Sequence, residues 1–504
     1  MSEGHYDLIV AGGGPTGSTL ASFTAMAGYR VLLLEREEFP RHQIGESLLP
    51  ATIHGICRML GVLDEVERRG FPKKNGGTFR WGANPEPWTF RFSRQPNDPF
   101  GYAYQVERAV FDQILLDRAR ELGVDVRERH DVRSVIMENG RAVGVAFADS
   151  EGRQHQARAR FVADTSGHRS HVSKLVGERI YSEFFRNVAL YGYFENGKRL
   201  PAPNQGNILS AAFRDGWFWY IPLSDSLTSV GAVVSREAAE EIRKGEDKAL
   251  QGFIGRCPII QDYLAGARRI TEGPYGPLRI RKDYSYCTTR FWAPGMVLAG
   301  DAACFIDPVF SSGVHLGTYS ALLAARSILT LLGGTAGISE EACFTEYEDR
   351  YRREFGRFYQ FLLAFYDVQQ DEESYFWQAR KILHTSERSN AAFVRLVAGL
   401  SAEDEPLFTG PDRFFEARRD FGSWFAANVL PPEAGVTGVT GVSTSSEPAS
   451  PEEFDPKQFM AGFSKEIASL QLQAIRRGNY SLPERPIRAG GLIPSADGLR
   501  WQRV

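Results

Sequence analysis

Two sets of residues in this chain have types and spacings that do chemistry. Gly12-Gly13-Gly14-Pro15-Thr16-Gly17 fits GxGxxG, and Glu35 lies 18 residues past Gly17. Glycines at positions 12, 14 and 17 let backbone approach a pyrophosphate. A helix starting behind them supplies unpaired N–H donors and a positive dipole. A carboxylate at the spacing of Glu35 suits a ribose hydroxyl. The second set is Trp217-Phe218-Trp219-Tyr220-Ile221-Pro222, which reads WxWxIP. Strand alternation puts Trp217 and Trp219 on one side, where two indoles make a rigid apolar wall. Taken alone, each set has a plainer reading: a dinucleotide loop that does not separate FAD from NAD, and a core hairpin whose tryptophans only pack.

These residues need elements to hold them. Residues 6–11 form a short apolar run that stops at the glycines, 30–35 form another, and Thr16 to Gly28 between them has the small-residue pattern of a helix. This is a βαβ unit with a buried parallel sheet. Residues 105–122 read as a helix with its lead-in, and 124–170 alternate like a meander ending in Phe161-Val162-Ala163-Asp164. Residues 186–235 hold several strands, and Ser229–Val234 pairs with the WxWxIP run as a hairpin across Leu223–Thr228. Residues 295–333 return to strand, loop and helix. Residues 339–385 are helical, with Phe344, Tyr347, Tyr351, Phe355, Phe358, Leu362 and Phe365 at three- and four-residue spacings, a stripe expected to pack as core against the substrate sheet. The small, polar stretch 431–458 is expected to be a flexible linker. The tail beyond it has one helix pattern, Met460–Arg477, and then loses pattern.

The bulk properties narrow the class. A chain of 504 residues is long enough for two or three subdomains. Hydrophobic residues make up 43% and charged residues 24%, with a net charge of −3. That balance points to a soluble globular protein and away from nucleic acid or a membrane surface. Cys57, Cys257, Cys287, Cys304 and Cys343 show no CxxC pairing, which argues against a zinc site or disulfide framework and fits a reducing cytoplasm. The first residues lack a basic and apolar leader, and no apolar run approaches the roughly 18 residues of a membrane span.

Two later segments favour FAD, through resemblance to the aromatic-hydroxylase flavin fold. Gln105-Val106-Glu107-Arg108, followed by Phe111-Asp112, resembles the segment of that fold whose arginine contacts the cofactor, here Arg108. Gly300-Asp301-Ala302-Ala303 follows the apolar run Met296–Ala299 and resembles its GDA motif, whose aspartate binds the ribityl chain, here Asp301. Asp301 equally suits a helix N-cap, and the two roles are compatible. Asp164-Thr165-Ser166-Gly167 fits a turn near the adenosine. The resemblance implies an α/β fold: a Rossmann-like parallel sheet, an antiparallel substrate sheet and a C-terminal helical region. The expected division is an FAD-binding domain over 1–185 and 275–335, a substrate-sheet domain over 186–274, a helical region over 336–430, the linker 431–458 and a tail 459–504. The cofactor residues expected are Gly12, Gly14, Pro15, Gly17, Glu35, Arg36, Ser47, Arg108 and Asp301.

Three motifs resemble those of the flavin-dependent halogenases. WxWxIP is one; in that family it keeps substrate off the flavin, so that a flavin hydroperoxide meets halide instead of an aromatic ring. Phe305-Ile306-Asp307-Pro308-Val309-Phe310-Ser311-Ser312-Gly313 is similar to the FxxPxxSxG motif, whose closing amides hold the halide, here Ser312 and Gly313. Backbone N–H groups in a glycine-containing turn offer donors without a competing acceptor. The segment Gly70–Gly82 is the third; its register against Gly76 and Trp81 assigns Lys74 as the lysine that handles hypochlorous acid, with Lys73 its solvated neighbour. Gly45-Glu46-Ser47 resembles a family segment near the flavin.

The chain departs from the tryptophan-specific branch. The substrate-directed glutamate of that branch is Phe310 here, and its large substrate-binding insertion is missing. The likeness is instead to the branch that chlorinates phenols or pyrroles on carrier proteins. It implies FADH2 from a separate reductase, chloride, O2, and an electron-rich aromatic substrate. It also implies a cytoplasmic enzyme without a metal, nucleic-acid or membrane partner. His315 follows the halide loop as a possible base, although a packed helix histidine is the commoner role. An aromatic hydroxylase, a geranylgeranyl-type flavin reductase and a non-catalytic flavin module are the rival readings. Halide-dependent product mass separates the first two, and any turnover excludes the third.

Overall fold

The computed structural model describes residues 2–81, 87–92, 99–335, 337–367, 486–487 and 490–503. The helical pattern past Asp367, the linker 431–458 and the helix over Met460–Arg477 lie outside the described residues.

The strand Val31–Leu34, Val-Leu-Leu-Leu, is buried along its whole length, as a parallel strand covered on both faces must be. It pairs with Ser2–Ala11 on one side and Asp125–Arg127 on the other. Ser2–Ala11 pairs in parallel with Gln154–Asp164, which pairs in parallel with Met296–Leu298. The meander read over 124–170 is present: Asp131–Glu138, Arg141–Ala148 and Gln154–Asp164 run antiparallel in turn. These strands belong to one eight-stranded sheet. Helix Pro15–Met26 starts on proline, whose missing N–H costs nothing in a first turn.

A second sheet has nine strands and carries the tryptophans. Gly216–Pro222 pairs antiparallel with Leu227–Val234, the hairpin expected from sequence. Arg179–Glu195 pairs with Leu227–Val234 on one edge and Arg279–Thr288 on the other. Ile208–Phe213 joins Gly76–Arg80 in parallel, and Gly76–Arg80 continues to Trp88–Arg91. Sheet membership therefore does not follow the expected cuts at 185 and 275. The long strand Arg179–Glu195 needs a partner on each edge, and both flanking segments supply strands. Trp217 and Trp219 face the larger core, shared with the nucleotide-binding sheet, while Phe218 and Tyr220 face a smaller one closed by helices Glu246–Gly255 and Pro258–Tyr263.

One close contact joins the layers. A Cβ on Gly300 or on Gly317 would lie 2.5 Å from Thr16 Oγ1. The nucleotide loop, the Gly300–Ala302 turn and helix Gly313–Leu332 therefore meet at Thr16, and only hydrogen fits at the two glycines.

The aromatic stripe of helix Glu340–Asp367 is buried, but against both sheets and not only the substrate sheet. Phe344 meets Phe161 at 6.1 Å and Tyr347 donates to the Leu298 carbonyl at 2.5 Å, both on the parallel sheet. One face of the same helix then reaches the antiparallel sheet, where Tyr359 meets Phe185 at 5.6 Å. A 28-residue helix is long enough to cross from one to the other.

The end of the chain, patternless in sequence, forms a hairpin of Leu492–Pro494 and Trp501–Arg503. Trp501 is buried between the guanidinium groups of Arg326 and Arg350, at 5.4 Å and 5.2 Å. Its indole N–H donates to Ser327 Oγ at 2.9 Å, and its backbone N–H to Thr330 Oγ1 at 2.7 Å. Arg350 and Glu346 also hold the Leu492 backbone, at 2.9 Å and 3.1 Å. Short strands with one buried aromatic leave too little periodicity to read. Trp501→Ala should cost about 3–5 kcal/mol of unfolding free energy, while Gln502→Ala, at an exposed position, should stay within about 0.5 kcal/mol. Urea unfolding checks both, and equal effects would mean the hairpin is not docked through its tryptophan.

Candidate active site

The glycine loop is a cradle by steric necessity. Gly12 has φ +108°, and a Cβ there would lie 2.7 Å from the Thr165 carbonyl oxygen. A Cβ on Gly17 would lie 1.9 Å from the Gly12 carbonyl oxygen. Gly14 caps helix Pro15–Met26 with no side chain over it, so the first-turn donors stay open. Glu35 is buried and ties the loop to its strand: Oε2 accepts from Gly13 N–H at 2.6 Å and Oε1 from Glu37 N–H at 2.8 Å. Arg36 is exposed. Thr165 Oγ1 donates to the Ala11 and Gly12 carbonyls at 2.9 Å and 3.0 Å, so the Asp164–Gly167 turn closes the cradle from below.

Arg108 serves the site indirectly as well as by charge. Its Nε and Nη2 form a fork on Asp112, at 2.7 Å and 2.9 Å, and its Nη1 donates to the Ile44 carbonyl at 2.5 Å. Arg41 shares Asp112 at 3.2 Å. Arg108, Arg281 and Arg179 all act on the half-buried Asp301. Segment Ile44–Leu48 is further held by the Val106 N–H on the Glu46 carbonyl, 2.7 Å, and by the Leu48 N–H on the Tyr104 carbonyl, 3.0 Å. Ser47 bridges Gln105. Two buried polar atoms of this strap, Glu46 Oε2 and Ser47 Oγ, have no partner within the described residues, nor have Gln105 Oε1 and, at the end of the 305–313 loop, Ser312 Oγ. A glycine cradle beside orphaned donors and acceptors fits a dinucleotide cofactor, whose polar edges satisfy them. Arg41, Thr165 and Gln105 were not singled out as site residues from sequence; their signal lay only in the neighbouring motifs.

The loop over 305–313 ends at a helix N-terminus, a geometry that suits an anion. Ser311 takes the left-handed conformation, φ +59°, which turns the chain into helix Gly313–Leu332 at Ser312. The first-turn amides of this 20-residue helix have no intrahelical acceptor. Asp307 anchors the loop: Oδ1 accepts from Val309 N–H at 3.1 Å and Oδ2 from the Tyr366 hydroxyl at 2.8 Å.

Strand alternation exposes Lys73 and buries Lys74. Lys74 Nζ donates to the Leu48 carbonyl at 2.9 Å and lies 5.4 Å from the Phe92 ring. Burial pushes its amine down to about 7. The segment after Lys74 then meets the other motifs in one aromatic cluster. Trp81 contacts Trp217 at 6.4 Å, and Phe79 contacts Phe310 of the halide loop at 6.0 Å. Phe365 touches Trp81 at 4.4 Å and Phe310 at 4.7 Å. Trp217 and Trp219 stand 6.2 Å apart on the same face. His315 packs between helices, with Nε2 3.0 Å from Glu354 Oε1 and its ring stacked on Tyr319 at 6.0 Å; the packed histidine is the role its surroundings give it.

Comparison with known proteins agrees with this architecture. The tryptophan halogenase family profile matches residues 7–99 and 91–434. A tryptophan 2-halogenase of Chondromyces crocatus is 35% identical over 382 residues, 75% of this chain and 71% of that protein. The 1H-pyrrole-2-carbonyl-(peptidyl-carrier protein) chlorinase of Pseudomonas fluorescens is 29% identical over 389 residues, 73% of this chain and 84% of its own. Among solved structures, the myxobacterial chondrochloren halogenase is 59% identical with a TM-score of 0.77, covering 99% of this chain and 100% of that one. The chain belongs to the tryptophan halogenase family and is a flavin-dependent halogenase that uses FAD.

Gly17→Ala should lower FAD affinity by about 100-fold or more, read by flavin fluorescence titration; unchanged affinity would remove the cradle from the cofactor site. A second test concerns the lysine. Its amine falls from 10.5 unfolded to about 7 folded. Between those values the unfolded chain binds more protons, so stability rises with pH across that window and is flat below it. Lys74→Met removes the slope. Relative to that variant, the wild type should gain about 2–4 kcal/mol between about pH 7 and about pH 10, measured by urea unfolding. Parallel stability curves would mean that the amine is not desolvated.

Proposed function

We propose that this halogenase chlorinates an electron-rich aromatic ring, a phenol carried on a carrier protein, through hypochlorous acid handled by Lys74. The observation that carries the reading is the buried Lys74, with an amine near 7 and, among the described residues, a backbone carbonyl as its hydrogen-bond partner. Such a group exists as ammonium and as free amine near neutrality. The ammonium gives a proton to departing hydroxide; the free amine takes chlorine from hypochlorous acid and releases water. The chloramine then passes its chlorine to a ring carbon, and the amine recovers the ring proton.

When bound, reduced FAD would supply the two electrons that, with O2, chloride and one proton, give FAD, hypochlorous acid and water. Gly12, Gly14, Pro15, Gly17, Glu35, Arg36, Ser47, Arg108 and Asp301 hold the cofactor in this scheme. The amides at Ser312 and Gly313 hold chloride, since donors at a helix N-terminus favour an anion. Trp217 and Trp219 separate substrate from cofactor. With one GxGxxG in the sequence, reduced flavin comes from a separate reductase. The carrier-bound pyrrole named for the Pseudomonas chlorinase supports a tethered substrate, and Phe310 in place of an acid supports one that needs no carboxylate guide. No helix among the described residues is long and apolar enough to cross a membrane, which is compatible with a cytoplasmic site of action.

Lys74→Ala should abolish chlorination while FAD affinity stays within about twofold. Lys74→Arg should fail too, because a guanidinium stays protonated, and Lys73→Ala should be nearly silent. Product mass after single turnover, with and without an added flavin reductase, reads all three. Substantial chlorination by Lys74→Ala, or rapid NADH oxidation by the chain alone, would overturn the scheme. Free tyrosine, a tyrosyl-carrier thioester and a pyrrolyl-carrier thioester assayed together decide the ring; preference for the pyrrole would defeat the phenol.

A further inference from the structure

Behind the tryptophan wall lies a buried acid that this scheme does not use. Glu46 is 2% exposed. Its Oε1 accepts from the Tyr193 hydroxyl at 2.8 Å, and its Oε2 has no partner within the described residues. The same hydroxyl meets His42 Nε2 at 2.7 Å. His42 is half-buried, its ring lying against Tyr191, Tyr193 and Tyr275. The three groups form an unbroken line from the protein's edge inward. At the inner end, the Ser229 hydroxyl lies near enough to the Glu46 carboxyl to favour its charge, without a hydrogen bond to Oε2, and accepts the Trp219 indole N–H at 3.2 Å. Ser47, next to Glu46 in the chain, and its bridging partner Gln105 also carry buried atoms without a partner within the described residues, the atoms assigned above to the cofactor.

We propose that His42, Tyr193 and Glu46 are a proton relay, with Glu46 Oε2 the delivering atom, for the proton consumed when chloride is oxidised to hypochlorous acid. The relay rests on that oxidation as proposed above. In one passage His42 gains a proton at Nδ1 and gives its Nε2 proton to the Tyr193 oxygen. Tyr193 gives its own to Glu46 Oε1, and Glu46 releases one from Oε2. One proton enters and one leaves; no other bond changes, and rotation of the carboxyl and a tautomer exchange of the imidazole reset the line.

The surroundings suit the task. Burial pushes the Glu46 carboxyl up to about 7, opposed by Ser229, Tyr193 and Arg108 and reinforced by Glu107; Tyr275 donates to Glu107 at 2.5 Å. Burial and the charges of Arg279, Arg281, Arg108 and Arg41 lower His42 to about 4. It is therefore a neutral imidazole, which donates from one nitrogen and accepts at the other.

Infrared difference titration of the FAD-loaded, oxidised protein is the first test. A protonated carboxyl band should titrate near pH 7 and vanish in Glu46→Gln. In stopped flow, Tyr193→Phe should slow chloride-dependent flavin reoxidation by about tenfold or more, with FAD affinity within about twofold, and small buffer acids should restore part of the rate. No titrating band, or a Tyr193→Phe enzyme as fast as wild type, overturns the relay alone. If the wild type makes no chlorinated product while the band is present, the chloride-oxidation reading fails and takes the relay's purpose with it.

Discussion

An ammonium group removed from water has to be compensated or discharged, and the site is organised around that constraint at Lys74. One backbone carbonyl, Leu48, receives Nζ. That is far less than water offers, so the amine's proton becomes labile near neutrality. The carbonyl can do this only if its own segment is fixed. Residues Ile44–Leu48 are fixed at both ends, by Arg108 on the Ile44 carbonyl and by the Tyr104 carbonyl on the Leu48 N–H. Asp112 in turn holds Arg108 in a two-point fork, the geometry that gives a guanidinium its directional strength. The strap thus sets the lysine at its Leu48 end and holds the buried Glu46 and Ser47 between its two fixed ends.

Around this polar frame the packing is almost wholly aromatic. Phe79 and Trp81 follow Lys74 along the chain, Trp217 comes from the wall, Phe310 from the halide loop and Phe365 from the long helix. Tilted and edge-on ring pairs each add about 0.5–1.5 kcal/mol beyond their burial. Rings at these contacts lock four separate segments together. Tyr366, the polar member of the group, turns its hydroxyl to Asp307.

Much of this was legible in the sequence because the relevant signals are short and local. The glycine loop with its strands, the WxWxIP hairpin and the 3.6-residue aromatic stripe each carry their own periodicity, and each is present. The lysine was legible only through its register with Gly76 and Trp81; its burial came from two-residue alternation too short to weigh. What escaped depends on contacts between distant segments. Arg179–Glu195 takes partners from both flanks, which no local pattern announces. The docking of Trp501 between Arg326 and Arg350 joins residues more than a hundred positions apart. The Glu46–Tyr193–His42 line likewise links a loop to a strand far along the chain, and each residue alone resembles an ordinary buried polar group.

The meeting of Gly300, Gly317 and Thr16 has a consequence for how the enzyme can diversify. With 2.5 Å between each absent Cβ and Thr16 Oγ1, a side chain at either glycine would push the Gly300–Ala302 turn or helix Gly313–Leu332 away from the nucleotide loop. The spacing between the nucleotide loop and the first turns of that helix is therefore gauged by backbone against one small hydroxyl, apart from the rings of the aromatic cluster. Mutations can recarve the aromatic cluster while that backbone spacing is kept, so that the two drift on separate axes.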